Sequence, residues 1–171
     1  MGPRKSRRYQ KGTESHHSRY RLARASVSRV LPAWDAAFPD DEVPHHLLRV
    51  ADAVIAGEMT SKEVTAGWHD NWTYFDDLAY DHEDLQPAIM VGYAANQLML
   101  MAMQDEPFPD VVNLKVTDRD TEPNDHDAAF LASIAVAGGA VWEKGTSKDD
   151  RRAFWDWWLD TVNAVSADDG N

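Results

Sequence analysis

The sequence predicts an all-α fold, a single-domain bundle of five or six helices around a buried central helix at residues 87–103. This central stretch, PAIMVGYAANQLMLMAM, is apolar on nearly every face when wound as a helix, which is typical of a helix enclosed by others. The neighbouring segments repeat their apolar residues every three to four positions, as amphipathic helices do. A chain of 171 residues is long enough to bury one core of this kind.

The composition limits the classes of protein to which the chain can belong. It contains no cysteine, which excludes disulfides and thiolate metal ligands and suits a reducing compartment, so we expect a cytoplasmic protein. Asn96 and Gln97 lie inside the apolar stretch and acidic residues flank it, so a core helix is favoured over a membrane span. No membrane association is expected.

Charge is distributed unevenly along the chain, whose formal net charge is −12. Residues 1–30 contain nine Lys or Arg and one acid, a net +8, whereas the remaining 141 residues contain 28 acids and eight bases, a net −20. A strongly acidic body repels nucleic acid and favours a basic partner, whereas a short basic arm does the opposite. A nucleic-acid-associated regulator that uses this arm therefore stays an alternative.

Hydrophobic periodicity sets the domain boundaries. Residues 1–18 have no such periodicity and few apolar side chains, so they are predicted to form a disordered basic arm. One helical domain is predicted at residues 19–166, and residues 167–171 are predicted to be a disordered tail. The whole core is therefore expected to come from one domain.

Two helices are predicted in the first third of the chain. The first, at residues 19–38, has apolar residues at helical spacing but contains Pro32, where we expect a break or kink because proline lacks the amide hydrogen. The second, at residues 44–56, carries one apolar stripe and is expected to end at Gly57, because glycine readily adopts the left-handed conformation.

A third helix is predicted at residues 61–79, because Thr60 and Glu63 have the spacing of a capping box. Its apolar residues keep the helical period. They are Val64, Trp68, Trp72, Phe75 and Leu78. An acidic turn follows, in which Asp84 is expected to cap the central helix.

The segment after the central helix, residues 105–124, contains three prolines and many acids. It is predicted to be a long connection with at most a short strand at residues 111–116. A fifth helix is predicted at residues 125–142. It is expected to bury Phe130, Leu131, Ile134, Val141 and Trp142. Gly138 and Gly139 would lie inside it at a cost of about 1 kcal/mol each, so close approach to another helix is expected to compensate.

The last helix is predicted at residues 148–165, with Ser147 and Asp150 as its cap. Its apolar stripe is Phe154, Trp155, Trp158, Leu159 and Val162. Arg151 lies in the first turn, where the helix dipole disfavours a cation. We therefore expect it to pair with Asp149, Asp150 or the acidic connection.

A set of short motifs runs through the sequence in a fixed order. The C-terminal third combines Phe130-Leu131-Ala132-Ser133, the step Ala137-Gly138-Gly139-Ala140 that leads to Trp142, and Arg151-Arg152 followed by Phe154-Trp155 and Trp158-Leu159. Phe38-Pro39-Asp40, Pro44 with Leu47-Leu48, and Gly57 precede them. Together they resemble the all-α "immunity protein 5" family of bacterial polymorphic toxin systems, over about residues 30–162. The basic arm has no counterpart in this resemblance.

The resemblance implies a protein that neutralises a cognate toxin encoded nearby, with no catalytic residues. Nucleic-acid-cleaving toxins need clefts that attract phosphate, so clustered acids are the candidate contacts. The candidate partner-binding residues are Asp76, Asp77, Asp81 and Glu83 after the third helix, Asp118, Asp120, Glu122 and Asp125 in the long connection, and Trp157. Two alternatives stay open: the acids form a solubilising face, and Trp157 is partly buried against the first helix instead of exposed.

A metal-dependent enzyme in a helical bundle is a further alternative, because His69, His82 and His126 have carboxylates nearby. Neither HExxH nor a paired ExxH occurs on the predicted helices. Pro123 also stands where a calcium loop beginning at Asp118 would need glycine. We therefore predict no metal site, no cofactor and no catalytic residue, and we expect the protein not to be an enzyme.

Overall fold

The computed structural model describes residues 14–103 and 126–168 and confirms an all-α, single-domain fold. Its six helices are α1 (Glu14–Ala37), α2 (Val43–Ile55), α3 (Ser61–Asp81), α4 (Gln86–Met103), α5 (Ala128–Ala137) and α6 (Lys148–Asp168). A short 3-10 helix, Glu83–Leu85, joins α3 to α4. The predicted connection at residues 105–124, with its short strand, and residues 1–13 of the predicted arm lie outside the described residues.

The central helix of the bundle is α4, as predicted. Residues 91–99 are all buried, including the polar side chains of Asn96 and Gln97. α1, α2, α3 and α5 pack around α4, and α6 packs on α5 and α1. Because other helices cover α4 on several sides, its sequence lacks the polar face of a surface helix.

The contact between α3 and α4 depends on a glycine. A Cβ atom on Gly92 would lie 2.3 Å from Cε1 of Phe75, so a side chain at this position would clash. Phe75 is fully buried and packs edge-on against Trp34 of α1, with 5.8 Å between the ring centroids. Gly92 therefore lets α3 lie against α4 and sets the position of the last turns of α3.

Both ends of the helical region extend beyond the predicted boundaries. α1 begins at Glu14, so residues 14–18 belong to a helix rather than to the arm. His16 is buried there, and its Nε2 lies 2.8 Å from the carbonyl oxygen of Met101 in α4. At the other end, α6 continues to Asp168.

The break expected in α1 does not occur. The helix continues through Pro32, which is exposed, and ends at Ala37. Val27, Val30 and Trp34 are buried on the two sides of the proline. Their packing offsets the roughly 3 kcal/mol that an internal proline costs a helix.

Hydrogen bonds confirm two of the predicted helix boundaries. The amide of Glu63 donates to Oγ1 of Thr60 at 3.4 Å, and the amide of Thr60 donates to the carboxylate of Glu63 at 2.7 Å, which forms the capping box of α3. Gly57 has a φ of 77°, and its amide donates to the carbonyl oxygen of Val54 at 3.1 Å. This left-handed glycine ends α2, as expected.

The end of α5 differs most from the prediction. α5 covers Ala128–Ala137 and stops at Gly138, whose φ of 75° is left-handed. Gly138 and Gly139 therefore terminate the helix instead of lying inside it, and no close helix approach is needed to compensate for them. Val141 and Trp142 consequently lie in a turn, where they are 60% and 37% exposed, so the prediction that they are buried is wrong.

The start of α6 is confirmed, but one residue of its predicted apolar stripe is exposed. The amide of Asp150 donates to the hydroxyl of Ser147 at 3.1 Å, as the predicted cap requires. Nη2 of Arg151 donates to the carbonyl oxygen of Gly139 at 2.6 Å, and the acidic connection, one of its expected partners, lies outside the described residues. Leu159 is 56% exposed, because α6 packs on only one side of the bundle and buries a narrower stripe than predicted.

Three tyrosine hydroxyls join separate segments of the bundle by donating to aspartate side chains. Tyr20 donates to Asp52 at 2.6 Å, Tyr93 donates to Asp76 at 2.5 Å, and Tyr74 donates to Asp41. Burial, and after it the neighbouring carboxylate, raises the pKa of each of these tyrosines above its usual value. Each hydroxyl is therefore neutral at ordinary pH and able to donate.

The raised tyrosine pKa values predict a loss of stability at high pH. Because the folded pKa exceeds the unfolded value of about 10, the stabilisation is fully present below about pH 10 and is lost as the pH rises through the folded pKa. We expect the Tyr20→Phe, Tyr74→Phe, Tyr93→Phe variant to lose less unfolding free energy above pH 10 than the parent in urea titrations. Tyr80→Phe, whose hydroxyl has no aspartate partner among the described residues, is the control and should behave like the parent.

Candidate functional site

Four of the predicted partner-binding acids lie together at one end of α3. Asp76, Asp77 and Asp81 are in its last turns, and Glu83 is in the 3-10 helix that follows. All four are exposed. The other four predicted acids, Asp118, Asp120, Glu122 and Asp125, lie outside the described residues.

The turn between α1 and α2 lies against the same end of α3. The rings of Phe38 and His82 are in contact, with 5.7 Å between their centroids. Tyr74 of α3 donates to the carboxylate of Asp41, whose other oxygen accepts from the first amide of α2 at 2.8 Å. These contacts hold the turn in place and bring the exposed carboxylate of Asp40 to the end of α3.

The carboxylates at this end of the molecule divide into two groups. The engaged ones are Asp41 with Tyr74, Asp35 with His45 at 2.6 Å, Glu42 with Arg49 at 3.4 Å, and Asp76 with Tyr93 at 2.5 Å. The others are exposed and have no side-chain hydrogen bond or ion pair among the described residues. We call this second group the acidic surface. It consists of Asp40, Asp77, Asp81, Glu83 and Asp84. Asp84 therefore does not act as the side-chain cap that was predicted for the central helix.

Tyr80 is the most exposed large hydrophobic residue in the described part of the chain, at 85%. It follows Asp77 by one turn of α3 and directly precedes Asp81, so its ring stands within the acidic surface. The sequence prediction missed Tyr80. The available signal was its spacing, because Tyr80 is about 200° around the helix from Leu78, which packs against the core.

The structure does not bring Trp157 to the acidic surface. Its ring is partly buried, packs against Phe154 with 5.5 Å between centroids, and lies 4.4 Å below the guanidinium carbon of Arg29 in α1. Burial against the first helix was one of the two alternatives left open by the sequence. The contacts make Trp157 a link between α6 and α1.

The metal and membrane alternatives receive no support from the described residues. No group of three or more His, Cys, Asp or Glu side chains in this part of the chain could hold a metal ion. His82 contacts Phe38, and His126 stacks on Phe130 with 4.4 Å between centroids, so these two histidines lie against aromatic rings. None of the described helices is both long and apolar enough to cross a membrane.

A helical domain whose described part presents exposed carboxylates beside an exposed aromatic side chain has the features of a protein-binding protein with an acidic interface. The family model described as Immunity protein Imm5 matches residues 3–165, nearly the whole chain, and the chain belongs to this family. The match confirms the family resemblance of the sequence motifs. It also begins at residue 3, so the basic arm lies within the match, contrary to the expectation that it has no counterpart.

No curated protein matches the chain. Membership in an immunity protein family indicates a role in immunity to a toxin and implies a toxin as the binding partner. Within the described residues, the acidic surface is the strongest candidate for the contact with that partner.

Proposed function

We propose that this protein binds one cognate toxin in the cytoplasm and blocks it by placing its acidic surface over the toxin's active site. The proposal is supported by a group of exposed carboxylates, without partners among the described residues, at one end of a member of an immunity protein family. A toxin that cleaves nucleic acid must attract phosphate and therefore has a basic cleft. The acidic surface is complementary to such a cleft in charge, and binding alone is sufficient to block it.

The positions of Asp77 and Asp81 support a binding role over a merely solubilising one. Both lie near the C-terminal end of α3, whose last turn contains no basic residue. An acid at the negative end of the helix dipole costs about 0.3–1 kcal/mol of stability. A lysine at this end would also be solvated and would stabilise the helix. Acids that reduce stability are instead typical of a surface that serves a function.

Long-range attraction would speed the encounter with the toxin. The chain carries a net charge of −12, and a field of this sign steers a basic partner toward the molecule. We propose that the predicted contacts Asp118, Asp120, Glu122 and Asp125 add to the same field. Salt screens such attraction over about 10 Å, so the association rate constant should fall as the ionic strength rises.

The Asp77→Asn, Asp81→Asn, Asp84→Asn variant tests the acidic surface. We expect its association rate constant with the toxin to fall about tenfold at low salt and to depend less on salt than that of the parent. Removing Asp77 and Asp81 from the end of α3 should at the same time raise the unfolding free energy by up to about 1 kcal/mol, less the stabilisation that Asp84 gives the N-terminal end of α4. Stopped-flow kinetics and urea unfolding measure the two effects.

The matched control is Asp70→Asn, Asp156→Asn, Asp160→Asn, which removes the same charge from exposed positions outside the acidic surface. It should change the association rate constant much less. Equal effects of the two variants would mean that only net charge matters and that the acidic surface is not the contact. An unchanged rate constant in the first variant would contradict electrostatic docking altogether.

The cellular test uses the gene adjacent to the one that encodes this protein. The neighbouring gene is induced in a test bacterium with and without this protein, and survivors are counted. Rescue together with a stable complex of the two proteins is the expected result. A neighbour that is harmless, or that kills equally in both cases, would contradict the proposed function.

A further inference from the structure

A second patch lies at the junction between α5 and α6. It consists of the exposed residues Val141 and Trp142 and the partly buried Phe130, and we call it the Trp142 patch. Trp142 stacks on Phe130 with 6.5 Å between centroids, and His126 also stacks on Phe130, at 4.4 Å. Val141 and Trp142 are both exposed. Large apolar side chains grouped on a surface are typical of a site that contacts another protein.

The turn that carries this patch is fixed by polar contacts. The carboxylate of Glu143 accepts from the amide of Ala140 at 2.8 Å, and Arg151 donates to the carbonyl oxygen of Gly139 at 2.6 Å. Gly139 has a φ of 147°, and a Cβ atom there would lie 2.3 Å from Oε2 of Glu143. The turn therefore holds Val141 and Trp142 in exposed positions before any partner binds, so little conformational entropy is lost when a partner buries them.

The charges beside the patch are of both signs. Lys144, Lys148 and Arg152 are exposed beside Asp149 and Asp150 and make no side-chain ion pair among residues 14–103 and 126–168. The acidic surface, by contrast, carries only one sign of charge. Two copies of a chain with net charge −12 repel each other at the acidic surface, but they can pair opposite charges around the Trp142 patch.

From these observations we infer that the Trp142 patch is the contact between two copies of this chain. A two-fold contact places the same surface on both partners, so it requires a surface that is complementary to itself. An apolar centre flanked by lysines and aspartates meets this requirement. The patch alone is smaller than the roughly 800 Å² per partner of a stable interface, so the contact is a weak, reversible dimer. This inference does not depend on the toxin.

Sedimentation velocity of the full-length chain at rising concentration tests the inference. The parent should move from monomer to dimer, and Val141→Glu should raise the dimer dissociation constant about tenfold or more. Tyr80→Glu adds the same charge at an exposed apolar side chain outside the patch and should leave the dissociation constant unchanged. A parent that stays monomeric, or a Val141→Glu variant that dimerises like the parent, would overturn the inference. Because Val141 is exposed, far-ultraviolet circular dichroism should show an unchanged fold in this variant.

Charge exchange provides an independent test of self-complementarity. Lys144→Glu, Lys148→Glu gives the surroundings of the patch a negative charge, and Asp149→Lys, Asp150→Lys gives them a positive charge. Each variant alone should dimerise less than the parent, and an equimolar mixture should form a heterodimer. A mixture that remains monomeric while the parent dimerises would show that the copies meet at another surface.

Discussion

Tyr80→Ala is expected to weaken toxin binding by about 30-fold or more, because truncation of a central aromatic anchor costs about 2 kcal/mol or more of binding free energy. Tyr80 is 85% exposed, and it lies between Asp77 and Asp81 of the acidic surface in the last turns of α3. In the complex, the carboxylates would bring the basic cleft into place and the ring would be buried between them. The loss should therefore appear mainly in the dissociation rate constant, whereas the loss caused by removing the acids should appear in the association rate constant.

Two further variants separate the ring of Tyr80 from its hydroxyl and from general effects. Tyr80→Phe keeps the ring and should retain most of the affinity. Leu159→Ala truncates another exposed apolar residue, on α6, and should leave the affinity unchanged. Unfolding in urea should give nearly the same free energy for all three variants, since each side chain is exposed. A dissociation rate constant unaffected by Tyr80→Ala would remove Tyr80 from the interface without contradicting immunity itself.

The parts of the fold that depend on local sequence were predictable. The capping box of Thr60 and Glu63 and the stop at Gly57 need only residues a few positions apart, so spacing alone identified them. The central helix was identified in the same way, by its uniform apolar character. The break considered at Pro32 does not occur, because the effect of a proline depends on how tightly the neighbouring turns pack, which the sequence of one helix does not contain.

The end of α5 was misjudged for a related reason. Gly138 and Gly139 are compatible with a helix interior and with a helix end, and the apolar residues that follow favoured the interior. In the structure the helix ends at Gly138, because Arg151 and Glu143 from later in the chain hold the turn that follows. Because the helix ends before Trp142, this side chain is exposed.

Only part of the candidate site could be predicted from residues that are close in sequence. The acids at the end of α3 are close in sequence, so their grouping was visible. Asp40 belongs to the acidic surface only because Tyr74 donates a hydrogen bond to Asp41, and this bond joins segments more than thirty residues apart. The engagement of Asp76 by Tyr93 also crosses from α3 to α4. Which carboxylates remain unpaired is therefore a property of the tertiary structure.

Gly92→Ala is expected to lower the unfolding free energy by about 2 kcal/mol, even though alanine is the better helix former. Alanine in place of glycine favours a helix by about 1 kcal/mol, whereas overpacking a close helix contact costs about 1–3 kcal/mol or more. At Gly92 the added Cβ would lie 2.3 Å from Cε1 of the buried ring of Phe75, which packs against Trp34 and has little room to move. The clash should therefore exceed the gain in helix propensity.

Gly67→Ala makes the same chemical change in α3, where nothing lies within 4 Å of the new Cβ, and should raise the unfolding free energy by about 1 kcal/mol. The helix propensity gain is common to both variants, so their difference of about 3 kcal/mol isolates the clash and should appear as roughly 10 °C between their melting temperatures. Equal stability of the two variants would show that α3 and α4 are not in close contact at Gly92. If Gly92 also positions the acidic surface, Gly92→Ala should weaken toxin binding under conditions in which the variant remains folded, and Gly67→Ala should not.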